Sequence, residues 1–336
     1  MDVLQRDAVV VGGGPGGLMA AEVMAAAGLS VTVFEHMPSV GRKFVLAGRS
    51  GLNLTHDEPL EQLLGRYGDA RPLLEPAIRA FDPAALRAWA SGLGEETFVG
   101  SSGRVFPHSM RATPLLRAWL RRLDELGVQV VTRTRWLGWD AAGALRFAGP
   151  DGEEFAVRAD AVVFALGGAS WPRVGSDGGW VPLFRQAGVV VNELRPANCG
   201  VVRPWSVQFA ERHAGQPLRN VGLRVGDASA RGGVMITDDG LEGGPVYTLS
   251  AQLRDEVDRQ GEAVLWVDLH PDLSVEAVTA RWAARRAKDS VASSLRRTLG
   301  FGPTTVAFVR EVVGGPLPTG PHELAALVKA VPVRVQ

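Results

Sequence analysis

An α/β fold in two parts is what this sequence predicts: a parallel-sheet domain over residues 1–190, then a small antiparallel sheet or barrel followed by helices over 191–336. Three observations predict it. Residues 7–35, DAVVVGGGPGGLMAAEVMAAAGLSVTVFE, compress a strand, a glycine turn, a small-residue helix and a second strand into the length of one βαβ unit. Around residue 190 the pattern changes to short β-like runs separated by turn residues. From Ser274 onward, helical spacing takes over.

The opening unit is Rossmann-like in its details. An apolar run at 8–11 breaks at Gly12-Gly13-Gly14-Pro15-Gly16-Gly17, and Gly12, Gly14 and Gly17 supply the G-x-G-x-x-G spacing. The first glycine allows the tight turn, the second lets backbone approach a pyrophosphate, and the third lets helix pack on strand. Pro15 stands at the helix start, where its missing N–H costs nothing. The unpaired amides there face an anion along a favourable dipole. Glu35 closes the second strand, where an acid bonds the ribose hydroxyls of an adenosine. A glycine-rich turn with no ligand would leave that acid unexplained, because a carboxylate at the end of a buried strand must be solvated or paired. An acid rather than an arginine argues against a 2′-phosphate, while FAD and NAD stay undistinguished by this stretch.

Residues 36–56, HMPSVGRKFVLAGRSGLNLTH, read as a long functional loop. Gly41-Arg42-Lys43, Arg49-Ser50-Gly51 and Asn53 place cations, polar groups and pliable backbone where a diphosphate and the chain behind it would be wrapped. Residues 59–93 give two or three short helices, 97–107 a strand-like segment broken by Gly100 and Gly103, and Pro114 the first position of a helix running to Gly127. A strand at 128–131 leads to a hairpin around Ala141-Ala142-Gly143, with backbone near Trp136 expected over the adenine. The strand 158–166 ends at Gly167-Gly168, another place where backbone meets ligand, and Asp177 lies on the loop beyond. This loop and the first glycine loop should converge at the carboxyl ends of the strands. In the second part, β runs are expected at 189–191, 199–202, 221–225, 233–236 and 263–267, and Asp289 reads as the cap of a helix carrying Val291, Leu295 and Leu299.

Composition narrows the function classes. The 36 basic and 36 acidic residues cancel, so no global field draws nucleic acid or an anionic membrane. No run of 18 apolar residues occurs, so no membrane span is expected. The single cysteine, Cys199, excludes an intramolecular disulfide and fits a reducing, cytoplasmic setting, as it fits other compartments. His and Cys never cluster at ligand spacing, which gives no metal site, and no G-x-S-x-G elbow is present. Arg281, Arg285, Arg286, Lys288, Arg296 and Arg297 form a patch that could meet RNA phosphates, diluted by Glu276 and Asp289 and equally readable as a solvated helix face.

Several segments together resemble one family: VVVGGGPGGLMAAE, GRKFVLAGRSGLNLTH, GSSGRVFP, ATPLLRAWL, ALGGASWPRVGSDGGW and LRPANCG, with GLEGGPVYTLSAQLR resembling a subgroup. They are similar to the FAD-dependent BaiN/YhiN-like flavoproteins. The resemblance implies a glutathione-reductase-class FAD domain interrupted by an insert of barrel plus helices. It also implies bound FAD and, for some members, reduction of a conjugated C=C bond with NAD(P)H as transient reductant. Enones and a uracil of ribosomal RNA are implied substrates, and amine oxidation is an alternative. In the family the chain returns from the insert with a further glycine-rich segment and a last helix. This sequence stops at Val335-Gln336, about where that return begins, so an unfilled sheet position and a shortened, non-catalytic nucleotide binder are expectations as well. No second G-x-G-x-x-G follows a strand, so a nicotinamide would act by transient stacking. A C=C reduction needs a proton donor. His56, His108, Cys199 and Tyr247 are groups of suitable type near matched motifs, with His56 and Cys199 the leading candidates.

Overall fold

The computed structural model describes residues 3–48, 51–101, 103–286 and 288–336. It divides into two compact units between Leu194 and Arg195. Among the described residues no helix is long and apolar enough to cross a membrane.

In the first unit, β1 (Val3–Val11) is followed by α1 (Pro15–Ala26), β2 (Val31–Phe34) and α2 (Arg42–Ala47). β1 lies between β2 and the strand Glu154–Phe164, both parallel to it, and Gln129–Val131 extends the sheet beyond β2. Leu145–Ala148 and Arg135–Trp139 continue the other side as an antiparallel meander. Alternation along β1 sorts the core onto two faces. Ala8 and Val10 join Val31, Val33, Leu18 and Trp119 under α1 and the helix Ala112–Glu125. Val9 and Val11 join Phe34, Trp136 and Phe147 on the opposite face, beside the short helix Val181–Gln186. Strands buried on both faces explain why β1 and β2 read as unbroken apolar runs.

Some expectations change in the structure. The stretch 36–56 is not a structureless loop: it holds α2 and the two-residue strand Thr55–His56, which pairs with Arg104–Pro107. The Phe44 ring, 6.3 Å from that of Trp119, supplies the tertiary contact that local pattern does not reveal. Arg49 and Ser50 lie outside the described residues. Helix Ala112–Glu125 starts two residues before Pro114, which still falls in the first turn, where an N–H is not needed. Residues 189–191 form no strand, and Val190 is 92% exposed. The helix Val291–Leu299 is capped by Ser290, whose Oγ accepts from the Ser293 amide, while Asp289 pairs with Arg297 at 2.6 Å. Serine reaches the open amide from the cap position itself, and aspartate one residue earlier does not.

The second unit is a six-stranded antiparallel sheet in the spatial order Val201–Val202, Gly240–Glu242, Ala228–Ile236, Pro217–Val225, Ala263–Asp268, Val331–Val335. Its two edges meet through reciprocal 2.8 Å hydrogen bonds between Val202 and Gln336, so the sheet closes into a barrel. Inward residues such as Leu223, Ile236, Leu265 and Val333 share one core with Trp282, Leu295 and Phe308 from the helices.

Candidate cofactor site

The carboxyl ends of β1 and β2 build the site. Gly12 has φ +108°, and a Cβ there would stand 2.4 Å from the Ala165 carbonyl, so only glycine lets the chain turn this close to the neighbouring strand. A Cβ on Gly17 would fall 1.9 Å from the Gly12 carbonyl, which is the close packing of α1 on the turn. Gly14, the N-cap, has φ −77° and nothing within 4 Å of where its Cβ would point. Gly16 is equally open. Among the described residues no side chain caps α1 and no acid sits in its first turn, so the amides at the helix start face the opening.

Glu35 is 8% exposed, and its carboxylate holds this turn. Its Oε2 accepts from the Gly13 amide at 2.7 Å, and its Oε1 from Met37 at 2.8 Å. His36 Nδ1 lies 3.1 Å from Oε1. Burial disfavours the charged carboxylate, yet the His36 side chain and the Met37 and Gly13 amides outweigh it and hold the carboxyl below its ordinary 4.5. A carboxylate offers about four acceptor positions, so these contacts leave room for a hydroxyl on Oε2.

Above the turn opens a cavity of about 740 Å³, the size of a ligand cleft. Gly12, Gly14, Pro15, Glu35, Gly41, Arg42 and Lys43 line it, as do Asn53, Trp136, Gly167 and Asp177. Gly17 and Gly168 do not: Gly17 lies beneath the turn, and the Gly168 carbonyl accepts from Ser176 Oγ at 2.9 Å. The two glycine loops thus converge on one opening, as the strand ends require. Lys43 Nζ donates to Ser170 at 2.7 Å and Ser176 at 3.2 Å, tying α2 to the later loop. Among the described residues, Arg42 Nε and Trp136 Nε1 are buried donors with no hydrogen-bond partner. Asp177 Oδ1 accepts from the Gly179 amide, which shapes its own turn.

The residues present fit an adenine dinucleotide: an open glycine turn at an uncapped helix start, an ionised acid beside it, and cations and unused donors around the cavity. His56 is not among the lining residues; its Nδ1 lies 3.7 Å from Glu58 Oε1 and its ring packs over Gly103. Cys199 belongs to the second unit and is a partly buried free thiol. Sequence reasoning missed Ser176, Met19, Phe44, Leu86, Trp89 and Trp119 as lining residues. For the helical ones, apolar spacing marked a core face without showing that the face borders a cavity.

Comparison with known proteins identifies the family. The HI0933-like protein Rossmann domain matches residues 6–265, and the HI0933-like protein barrel and H2TH domain matches residues 195–336. The chain is 25% identical over 276 residues to a 3-dehydro-bile acid delta(4,6)-reductase of Clostridium scindens, covering 80% of this chain and 66% of that protein. It is 32% identical over 106 residues to a thiamine thiazole synthase of Methanococcus vannielii, 30% of this chain and 41% of that one. Among solved structures, the E. coli quinol fumarate reductase FrdA aligns with a TM-score of 0.47 at 16% identity, covering 100% of this chain and 60% of that one. A 3-ketosteroid-delta4-(5alpha)-dehydrogenase from Rhodococcus jostii aligns with a TM-score of 0.45 at 17% identity, covering 99% and 82%. The chain therefore spans just under two thirds of the length of the bile acid reductase. With its two parts matched in order along residues 6–336, it belongs to the HI0933-like family, the BaiN/YhiN-like FAD-dependent oxidoreductases.

Proposed function

We propose that this chain carries the FAD-binding and insert parts of a reductase that uses NAD(P)H to saturate a conjugated C=C bond. The observation that carries the reading is the open glycine turn with Glu35 ionised beside it, in a chain whose relative is a delta(4,6)-reductase. In this reading the amide of Gly16 and the cations Arg42 and Lys43 hold the diphosphate. Glu35 holds the adenosine ribose, and backbone near Trp136 meets the adenine. Bound FAD supplies the acceptance and delivery of hydride, and the protein supplies position and a proton.

The small-molecule reading is preferred to an RNA substrate because the basic patch is partly spent within the unit. Arg297 pairs with Asp289, and Arg285 lies over the Trp282 ring at 5.0 Å. For the proton we propose His56 or Cys199, which His56→Gln and Cys199→Ser distinguish through the pH profile of substrate reduction.

The test is anaerobic. FAD-loaded protein should bleach with NADH or NADPH and recover its colour on addition of a 3-oxo-4-ene steroid as enone probe. Protein that resists both nicotinamides but is bleached by amines and recovers in air would contradict the reductase reading and support an oxidase.

A further inference from the structure

Between Gly167-Gly168 and Gly178-Gly179 the chain runs as a thin strip with the cavity on one side and solvent on the other. Val174, Gly175 and Ser176 line the cavity, whereas Trp171, Pro172 and Arg173 face outward, Trp171 at 52% exposure. The strip closes on itself around one 3-10 turn, Pro172–Val174. The Trp171 amide donates to the Ser176 carbonyl at 3.1 Å, and the Ser176 amide to the Trp171 carbonyl at 3.0 Å. Residues 169–178 contribute to none of the core clusters of this unit, so apolar burial does little to keep the strip in place.

Two contacts hold it down instead. Gly175, left-handed at φ +96°, lies so close to the segment after β2 that a Cβ there would stand 2.7 Å from Met37 Cγ and 3.0 Å from His36 Cε1. The second contact is Lys43 of α2, whose Nζ donates to Ser170 Oγ at 2.7 Å and to Ser176 Oγ at 3.2 Å. Ser176 Oγ is buried and donates in turn to the Gly168 carbonyl. Lys43 reaches hydroxyls and no carboxylate: among the described residues it has no ion pair, and it lines the cavity. An ammonium carries three N–H donors, so one donor and the whole positive charge are left for what enters. Holding a four-carbon stem in one rotamer costs conformational freedom, and the same fixed rotamer serves both partners. An ammonium already held by the strip meets an anion with less further loss, and a bound anion makes the strip harder to lift by the same factor.

We propose that residues 169–177 form a strap over the cavity, latched by Lys43 through Ser170 and Ser176, and that opening of this strap admits and releases the dinucleotide. The inference rests on the dinucleotide reading above for what the strap encloses, while the latch belongs to the chain without ligand. Ser170→Ala is the cleaner variant, because that side chain is exposed and bonds only Lys43 among the described residues. Ser176→Ala removes the buried member together with its bond to Gly168.

Hydrogen–deuterium exchange on cofactor-free, full-length protein is read by mass spectrometry on peptides spanning residues 167–180. Exchange there should rise about three- to tenfold in Ser170→Ala and at least as much in Ser176→Ala, with peptides of α1 and β1 unchanged. FAD release, followed by the return of flavin fluorescence on dilution, should accelerate by a similar factor in both variants. Exchange equal to wild type in both variants, or a rise spread evenly over the whole unit, overturns the strap. Unchanged FAD release in a variant whose strap exchange has risen overturns its part in release. Ser170→Ala decides alone where Ser176→Ala does not fold. A wild type that takes up no FAD overturns the dinucleotide reading, and the cofactor-free exchange still decides the latch.

Discussion

Glycines 14 and 17 occupy one motif and do opposite work, which single methyl groups can separate. Gly17→Ala drives a Cβ into the Gly12 carbonyl, backbone against backbone, and should cost about 1–3 kcal/mol of stability. Gly14→Ala meets nothing in the protein and keeps an allowed φ, so the melting temperature should hold while FAD affinity falls. Calorimetry and FAD titration on the two variants check both halves. Glu35 gives a pH-dependent counterpart. Its folded pKa lies below 4.5, so its stabilisation is fully present above that value and is lost as pH falls through the lowered one. Glu35→Gln should be destabilised by about 1–3 kcal/mol at pH 7. Urea unfolding from pH 7 to pH 3 should show the difference from wild type shrinking below about pH 4.5. These residues were legible in the sequence because turn, helix start and strand end follow one another within about 30 positions. The cavity-lining Trp89 and Trp119 were not, since their indoles donate to the Glu22 carboxylate 67 and 97 positions away and leave no local signature.

Helix ends show where reading by element succeeds and where it slips. The helix Val291–Leu299 and its terminal Gly300, left-handed at φ +70°, follow from apolar spacing and a glycine stop. The cap slipped by one residue because Asp289 and Ser290 are both good caps by type, and only geometry chooses. Ser290→Ala should therefore cost about 1 kcal/mol. Asp289→Ala, which removes an ion pair to a half-exposed Arg297, should cost less than about 1 kcal/mol. Chemical denaturation of the two variants ranks them. α2 escaped for a different reason: six residues are too few for a period, and its stability comes from Phe44 reaching Trp119 and from Gly41, where a Cβ would collide with Leu116.

At the scale of the molecule, the sequence announces two kinds of architecture and the structure gives each its own core. The change of pattern near residue 190 was readable because parallel strands buried on both faces look unlike barrel strands that alternate. The residue pattern left sheet and barrel open, because the closing Val202–Gln336 bonds join positions far apart, and the family resemblance implied the barrel. Since the barrel core lies entirely within residues 201–335, residues 195–336 expressed alone should unfold in one cooperative urea transition. A fragment with no transition would show that this core needs the first unit. Among the described residues, the cavity draws on residues 11–183. The most direct test of the whole account is calorimetric titration of the purified chain with FAD. The account predicts one FAD per chain, with affinity reduced in Gly14→Ala and Glu35→Gln. A wild-type chain that gives no binding heat and gains no flavin spectrum would contradict it.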